Sequence, residues 1–245
     1  MGLSSRIGRD ELLSRVFPSL GDDAIVELDG LGYGSSFAGG ELIAQEDTYA
    51  SGVYVVQTGL VSIGKYGGQD GGKRVLRFLA SGELFGVEAV LTGHPVNVQF
   101  AKALVASQLV FFERRELIAF IEQHPELCRD LARWLSREVI MLEFKLTRAA
   151  VESTDRNLAL LLLALAKNYG KDVDEGVVVD LPISRQVIAE MLGVSIDTLT
   201  RLLKRFRERN LLDTSGRHIV ITDMDRLKER ARTTPFYISI IEETL

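Results

Sequence analysis

The sequence is poor in the residues that build disulfide frameworks, metal clusters and membrane spans. Its 245 residues include one cysteine and three histidines. A single thiol forms no intrachain disulfide and cannot supply the roughly four thiolates that hold an iron–sulfur cluster. The longest apolar run, Leu158 to Ala166, falls far short of the ~20 residues that cross a bilayer. With no signal-peptide pattern either, we expect a cytoplasmic protein without a membrane span.

Charge is distributed unevenly along the chain. The net charge of -5 would argue against a nucleic-acid partner if the charges were spread evenly. Between residues 201 and 217, however, six cations accompany two anions. The local field governs attraction to phosphates, so this segment remains a candidate for nucleic-acid binding. The length and the ordinary globular composition predict two domains.

The first half of the chain has a sequence pattern that is typical of a β domain. Residues 10–16 predict a short helix that ends at Phe17 and Pro18. From about Leu28 to Phe112, short β-type runs alternate with glycines at turn spacing. This pattern predicts a compact all-β domain.

A long helix is predicted after the β region, with Pro125 at its first turn and its end near Val151. Apolar residues recur at intervals of four and three, at Cys128, Ala132, Leu135, Val139, Leu142, Leu146 and Ala149. This heptad stripe is typical of a coiled coil, and the alternative is a helix packed along its own β domain. Cys128 is interpreted as a small buried residue.

A second domain follows. Ser153, Thr154 and Asp155 offer a break and an N-cap, and the apolar residues 156–169 predict its core helix. Residues 171–176 are predicted as a loop, and residues 177–182 as a strand.

Residues 184–209 predict a helix-turn-helix. Gly193 is placed to end the first helix, and Ser195 to cap the second. The second helix would bury its apolar side chains, which are Leu199, Leu202, Leu203 and Phe206. Residues 211–222 then read as strand, turn at Ser215 and Gly216, and strand, which is a winged-helix hairpin. A polar helix is predicted after Thr222 or Asp223.

The exposed face of the second helix has the chemistry of a base reader. Arg201 can make a bidentate contact with guanine, Asp197 can accept from a cytosine or adenine amine, and the Thr200 methyl can meet thymine. The alternative is a solvated helix with a charged face. The other predicted DNA contacts are Ser184, Arg185, Ser195, Thr198, Lys204, Arg205 and Arg217.

This segment resembles the DNA-binding domain of the CRP/FNR superfamily of bacterial transcription regulators. Asp197, Thr200 and Arg201 match the Glu-x-x-Ser-Arg pattern of its FNR branch with two conservative changes. Ile196 stands where the CRP branch carries another arginine. The resemblance implies an α+β fold with a jelly-roll β-roll of the cyclic-nucleotide-binding type at 1–124, a dimerisation helix at 125–151, and a winged helix-turn-helix at 152–245.

The resemblance also implies an effector pocket around residues 81–93. Members that bind cyclic AMP hold its phosphate with an arginine followed by serine or threonine, and those positions are Asn97 and Val98 here. Glu88 lies one place away from the ribose-binding position. We therefore expect no cyclic AMP in the usual mode. The predicted pocket residues are Leu84, Phe85, Gly86, Glu88, Asn97, Val98 and Phe100.

The effector is left open by the sequence. An iron–sulfur cluster is not expected, and His94 offers weak support for haem. A small apolar or anionic metabolite, a redox change at Cys128, or no ligand at all are the other possibilities.

The combined patterns predict a homodimeric regulator that is not an enzyme. Its partners would be double-stranded DNA at an inverted repeat, RNA polymerase and an unknown effector. The predicted dimer contacts are Leu135, Val139, Leu142, Leu146 and Ala149. A cupin-like metal-dependent enzyme and a cyclic-nucleotide-binding regulatory module without DNA binding are the alternatives. Metal-dependent catalysis would need clustered ligands, which His94, His124 and His218 do not form in the sequence.

Overall fold

The computed structural model of the chain describes residues 8–67, 73–151, 154–179, 184–215 and 218–231. The chain divides into two compact units, residues 1–140 and 141–245. The division falls within the long helix, and each unit has its own core. The turn at Gly216 and Arg217 and the tail after Ala231 lie outside the described residues.

The first unit opens with two helices, α1 (Arg9–Val16) and α2 (Asp22–Leu31). The first was predicted, but the second falls partly in the region interpreted as β. The buried face of α2 consists of Ala24, Ile25 and Leu28. Two aspartates in its first turn interact favourably with the positive end of the helix dipole and so stabilise the helix. This helical pattern is difficult to recognise in the sequence, because glycines in and beside the segment are typical of turns.

A jelly-roll-like pair of antiparallel sheets forms the body of this unit. The strands are β1 (Tyr33–Phe37), β2 (Leu42–Ala44), β3 (Gly52–Thr58), β4 (Val61–Tyr66), β5 (Lys73–Leu79), β6 (Leu84–Phe85), β7 (Phe100–Ala103) and β8 (Ser107–Glu113). Among the described residues, the strand orders are β1-β8-β3-β6 and β2-β7-β4-β5. A short helix, α3 (Val87–Leu91), follows β6. The predicted all-β domain is therefore confirmed, with helices added at its edges.

The two faces of the sheet that contains β3 pack into two different hydrophobic cores. Side chains such as Val56 and Leu109 meet the second sheet. The alternate residues Val55 and Val110 pack instead against α1, α2 and the next helix, α4 (Arg114–Gln123). This alternation follows from the two-residue period of a strand.

The long helix α5 runs from Leu127 to Val151 and begins two residues after the predicted start. Its first turn is tied to the segment between α1 and α2, because the backbone N–H and the hydroxyl of Ser19 both donate to the buried Asp130 carboxylate at 2.8 Å. The interpretation of Cys128 as buried is wrong. Its thiol is exposed in the single chain, since Leu127 and Leu131 take the side of the helix that faces the core.

The second unit surrounds a largely apolar helix, α6 (Thr154–Tyr169). Around it are β9 (Gly170–Val173), β10 (Gly176–Val179), α7 (Arg185–Leu192), α8 (Ile196–Glu208), β11 (Leu212–Ser215), β12 (His218–Ile221) and α9 (Met224–Ala231). The predicted loop at 171–176 is wrong in part, because residues 170–173 pair with β10 as an edge strand. The polar sequence of β9 hides a strand whose side chains are mostly exposed.

The apolar run of α6 lies within a folded core, with Leu158, Leu162 and Leu165 buried. Over the described ranges, no helix combines the length and apolar character that a membrane crossing requires.

Replacing Phe206 with alanine tests the core of the second unit. Phe206 on α8 is fully buried, so Phe206→Ala should lower the free energy of unfolding by about 3–5 kcal/mol. Ile196→Ala on the same helix is the control, since Ile196 is 38% exposed and its truncation should cost under about 1 kcal/mol. Urea unfolding followed by circular dichroism measures both, and equal losses would contradict this assignment of the core.

Candidate nucleic-acid interface and effector pocket

The turn between α7 and α8 is built from capping groups. The hydroxyl of Ser184 accepts from the backbone N–H of Val187 at 3.3 Å, and that of Ser195 accepts from the N–H of Thr198 at 3.2 Å. Gly193 has a φ of 66°, a left-handed conformation that glycine adopts without strain. The predicted end of the first helix and the predicted cap of the second are confirmed.

The two faces of α8 are clearly divided. Its buried residues are Leu199, Leu202, Leu203 and Phe206. Asp197, Thr200 and Arg201 are exposed on the other side, within the first turns of the helix. We call these three residues the reading face.

Hydrogen bonds within the helix orient the reading face. The Thr200 hydroxyl donates to the Ile196 carbonyl at 2.8 Å, which commits the hydroxyl to the helix backbone and leaves the methyl group for other contacts. Arg201 Nη2 donates to Thr198 Oγ1 at 3.3 Å, and Thr198 Oγ1 lies 3.0 Å from Ser195 Oγ. The guanidinium is therefore held toward the N-terminus of α8.

The cations beyond the reading face differ in their partners. Lys204 is exposed, and its ammonium lies 3.9 Å from the Glu208 carboxylate. Arg205 instead donates to Asp155 of α6 at 2.6 Å. Arg185 is exposed at the start of α7, and Arg217 lies outside the described residues. The sequence predicts Asp155 only as part of a helix start. Its role as an ion-pair partner is not evident there, because the arginines that it binds are about 50 or more positions away.

A cavity that is partly open to solvent lies in the β-roll. Of the residues predicted for the effector pocket, Phe85, Gly86 and Asn97 line it. The remaining lining residues come from the β2–β3 region and were not predicted: Ile43, Ala44, Gln45, Thr48, Tyr49, Ser51, Gly52 and Tyr54. Strand pairing brings this region beside β6, which no local pattern in the sequence reports.

Two stacked aromatic rings, those of Tyr54 and Phe85, line the cavity, and the Phe111 ring packs against Tyr54. The Tyr54 ring lies 4.9 Å from that of Phe85 and 4.7 Å from that of Phe111, measured between centroids. Burial raises the pKa of Tyr54, and a hydrogen bond with Ser51 acts in the opposite sense. The Tyr54 phenol therefore stays neutral at physiological pH and offers a polar group at the wall.

Asn97 closes one side of the cavity. Its Nδ2 donates to Thr48 Oγ1 at 3.1 Å and to the Tyr49 carbonyl at 3.3 Å. Backbone bonds of 2.8 Å join Asn97 to Asp47 and Thr48 on the same segment. The Asn97 amide is thus committed to holding two loops together.

The other predicted pocket residues lie elsewhere. Leu84 is buried in the core shared with the helices. Phe100 is buried and its ring lies 5.1 Å from that of Tyr66. Glu88 is half-buried on α3, whereas Val98 and His94 are exposed, and none of these three lines the cavity.

The described part of the predicted dimer stripe is partly exposed to solvent in the single chain. Val139 is 53% exposed, Leu142 is 49% exposed, and Leu135 is half-buried. Leu146 and Ala149 lie in α5, but their side chains are outside the part that the structure describes. An adjacent side of α5 packs on the β-roll, where the Glu138 carboxylate pairs with Arg77 of β5 and the Arg77 guanidinium lies 5.4 Å from the Trp134 ring.

Two family descriptions match the chain. Residues 35–124 match the cyclic nucleotide-binding domain, and residues 157–230 match the Crp-like helix-turn-helix domain. The cavity does not fit the phosphate of a cyclic nucleotide, however. No charged side chain is among its described lining residues, and a buried phosphate without a cationic partner is strongly disfavoured.

Individual relatives agree with these matches. The nitrogen fixation regulation protein FixK of Azorhizobium caulinodans is 31% identical over 200 residues, covering 81% of this chain and 79% of the relative. The CRP-like cAMP-activated global transcriptional regulator of Mycobacterium tuberculosis is 25% identical over 225 residues, covering 91% and 100%. The structure of FixK2 from Bradyrhizobium japonicum is 25% identical with a TM-score of 0.71, covering 83% and 98%.

The β-roll, the long helix and the capped helix-turn-helix therefore occur together in a chain that is related over most of its length to known regulators. The chain belongs to the CRP/FNR superfamily of DNA-binding transcription regulators.

Proposed function

We propose that two copies of the chain associate along α5 and regulate transcription by placing both α8 helices in successive major grooves of an inverted repeat. The observation that carries this proposal is the reading face, which lies exposed at the N-terminus of a helix whose other side is buried. The N-terminal residues of such a recognition helix reach base edges, and two-fold symmetry in the protein is matched by two-fold symmetry in the site.

Each residue of the reading face suits a different base. The Arg201 guanidinium provides two parallel donors for guanine, and the exposed Asp197 carboxylate accepts from a cytosine or adenine amine. The Thr200 methyl suits thymine, because the hydroxyl is bound to the Ile196 carbonyl. These contacts favour a half-site of the FNR type.

The phosphate contacts would come from helix starts and nearby cations. The hydroxyls of Ser184 and Ser195 accept from backbone N–H groups as caps. The proton of the Ser184 hydroxyl can therefore be donated to a phosphate oxygen, as can that of Ser195 when Thr198 donates within the cap. Arg185, Lys204 and Arg217 would add positive charge beside them.

The stripe on α5 supplies the proposed dimer contact. Val139 and Leu142 expose apolar surface at heptad spacing, and burying it against a second copy is favourable by about 25 cal/mol per Å². The dimer would set the separation of the two reading faces.

The cavity in the β-roll is the proposed site of control. Its uncharged lining favours an effector without a phosphate group, held by hydrogen bonds and contact with aromatic rings. Such a ligand would act by favouring one packing of the dimer helices over another. The regulator would then contact or obstruct RNA polymerase in the cytoplasm, where its DNA lies.

Catalysis is not part of the proposal. In the residues that the structure describes, no three His, Cys, Asp or Glu side chains group as metal ligands. The helix-turn-helix also distinguishes the chain from a cyclic-nucleotide module without DNA binding.

Removing the Arg201 guanidinium should weaken sequence discrimination. Arg201→Ala loses a bidentate base contact worth about 1–3 kcal/mol in each half-site, so preference for the selected duplex should fall about 5- to 150-fold for each half-site that the dimer reads. Fluorescence anisotropy with a duplex selected from a random library, against a scrambled duplex, measures the ratio. Arg226→Ala on α9 is the control, and an unchanged ratio in Arg201→Ala would contradict the assigned role.

Placing a charge in the stripe should separate the dimer. Leu142→Arg puts a guanidinium against apolar surface, so light scattering should give the mass of one chain where the wild type gives two. Leu91→Arg introduces the same group at another exposed leucine, which is 43% exposed, and should stay dimeric. A dimeric Leu142→Arg protein would count against the α5 interface.

Cyclic AMP should not stabilise this protein. A ligand that binds the native state raises the unfolding temperature, and an excess of about 100 times its Kd would add about 2.7 kcal/mol. We expect no shift at millimolar cyclic AMP, because the cavity lacks a cation for the phosphate. The M. tuberculosis relative, which is described as cAMP-activated, is the positive control. A raised melting temperature would refute the inferred ligand chemistry.

A further inference from the structure

One carboxylate forms ion pairs with arginines from two helices of the second unit. Asp155 lies in the first turn of α6, and its side chain is 14% exposed. Arg205 donates to Oδ1 at 2.6 Å, Arg230 donates to Oδ2 at 2.9 Å, and a nitrogen of Arg209 lies 3.8 Å from Oδ2. Both carboxylate oxygens are therefore engaged with cations; Arg205 belongs to α8, and Arg209 is the residue that follows the end of α8.

These two arginines continue the side of α8 that bears the reading face. Arg201, Arg205 and Arg209 are spaced four residues apart, and residues at this spacing lie above one another on a helix. Arg205 is one turn, or about 6 Å, beyond Arg201. From that position a freely extended arginine would reach the phosphates that flank the bases read by Arg201.

The position of the Asp155 carboxylate is fixed by neighbouring contacts. The next residue, Arg156, donates through Nε to the Ala231 carbonyl at 2.7 Å, which anchors the start of α6 to the end of α9. Arg230, next to Ala231, holds the second oxygen of Asp155. Asp155 therefore cannot follow Arg205 outward, and Arg205 must leave a charge-assisted hydrogen bond in order to bind DNA.

We propose that Asp155 is a positioning residue that withholds Arg205 and Arg209 from the DNA phosphates. Phosphate contacts strengthen binding to every sequence equally, so withholding them lowers sequence-independent affinity. The protein would then spend less time on the many competing sites of a genome. This inference rests on the proposed function, and it removes Arg205 from the phosphate contacts that the sequence suggests.

Salt dependence of DNA binding tests this arrangement in the full-length protein. The logarithm of the binding constant falls with the logarithm of salt concentration by about 0.9 for each phosphate contact. Asp155→Asn should release one or two arginines in each protomer, make the slope of the dimer steeper by about 2–4, and raise affinity for a non-specific duplex. Asp225→Asn on α9 makes the same change in net charge at a side chain that is 94% exposed and pairs with Lys228, and should leave the slope unchanged.

Substitution of Arg205 provides a second test of the same arrangement. Arg205→Gln should keep the wild-type slope, whereas Lys204→Gln should reduce its magnitude by about 2 in the dimer, because Lys204 is only loosely paired in each protomer. Anisotropy titrations between about 50 and about 200 mM salt give the slopes. Circular dichroism melting checks that each variant is folded.

Two results would overturn the inference. One is a loss of about 2 in the slope of the Arg205→Gln dimer, which would show that Arg205 already binds phosphate in each protomer. The other is a folded Asp155→Asn protein with the wild-type slope. If Asp155→Asn does not fold, the comparison of Arg205→Gln with the wild type still decides. Failure of the proposed function would look different, because the wild type would then select no inverted repeat from a random library while its non-specific slope stayed measurable.

Discussion

The burial of the apolar side of α8 is the constraint on which the proposed DNA reading depends. Leu199, Leu203 and Phe206 enter the core of the second unit and so fix the rotation of the helix about its axis. Every other side chain of α8 then points in a direction set by the helical repeat. Asp197 and Arg201 face solvent as a consequence of this packing. The polar chemistry of recognition is thus oriented by hydrophobic burial that makes no contact with DNA.

A comparable dependence holds in the β-roll, where backbone contact shapes the cavity. Gly86 has a φ of 89°, and a Cβ built there would lie 2.5 Å from the Gly52 carbonyl. Both glycines line the cavity, so β3 and the turn after β6 approach each other at its wall. Because the lining is uncharged, discrimination among ligands would come from shape and hydrogen bonding. The same fold in relatives can serve ligands of other charge through different side chains.

Features encoded locally were predictable from the sequence, and those created by distant pairing were not. The helix-turn-helix was evident because Gly193, Ser195 and the apolar period lie within one short segment. Most of the cavity wall was missed because it depends on partners far along the chain. The strand β9 was missed for another reason: its partner β10 follows after a short turn, but its sequence is polar and its side chains are mostly exposed. Cys128 was misjudged because a heptad stripe reports apolar spacing but does not say whether its partner is the same chain or another. Asp155 looked like a helix start, and only the fold brings its arginines to it.

The bond between Ser19 and Asp130 bears on the order in which the first unit folds. The two residues are 111 positions apart, and the whole β-roll lies between them. During synthesis Ser19 leaves the ribosome long before its partner exists, so the helices at the N-terminus cannot complete their docking early. Contacts of such long sequence separation also form late because closing the intervening loop costs entropy. We therefore expect the docking of α1 and α2 to be among the last steps by which their unit reaches the native arrangement.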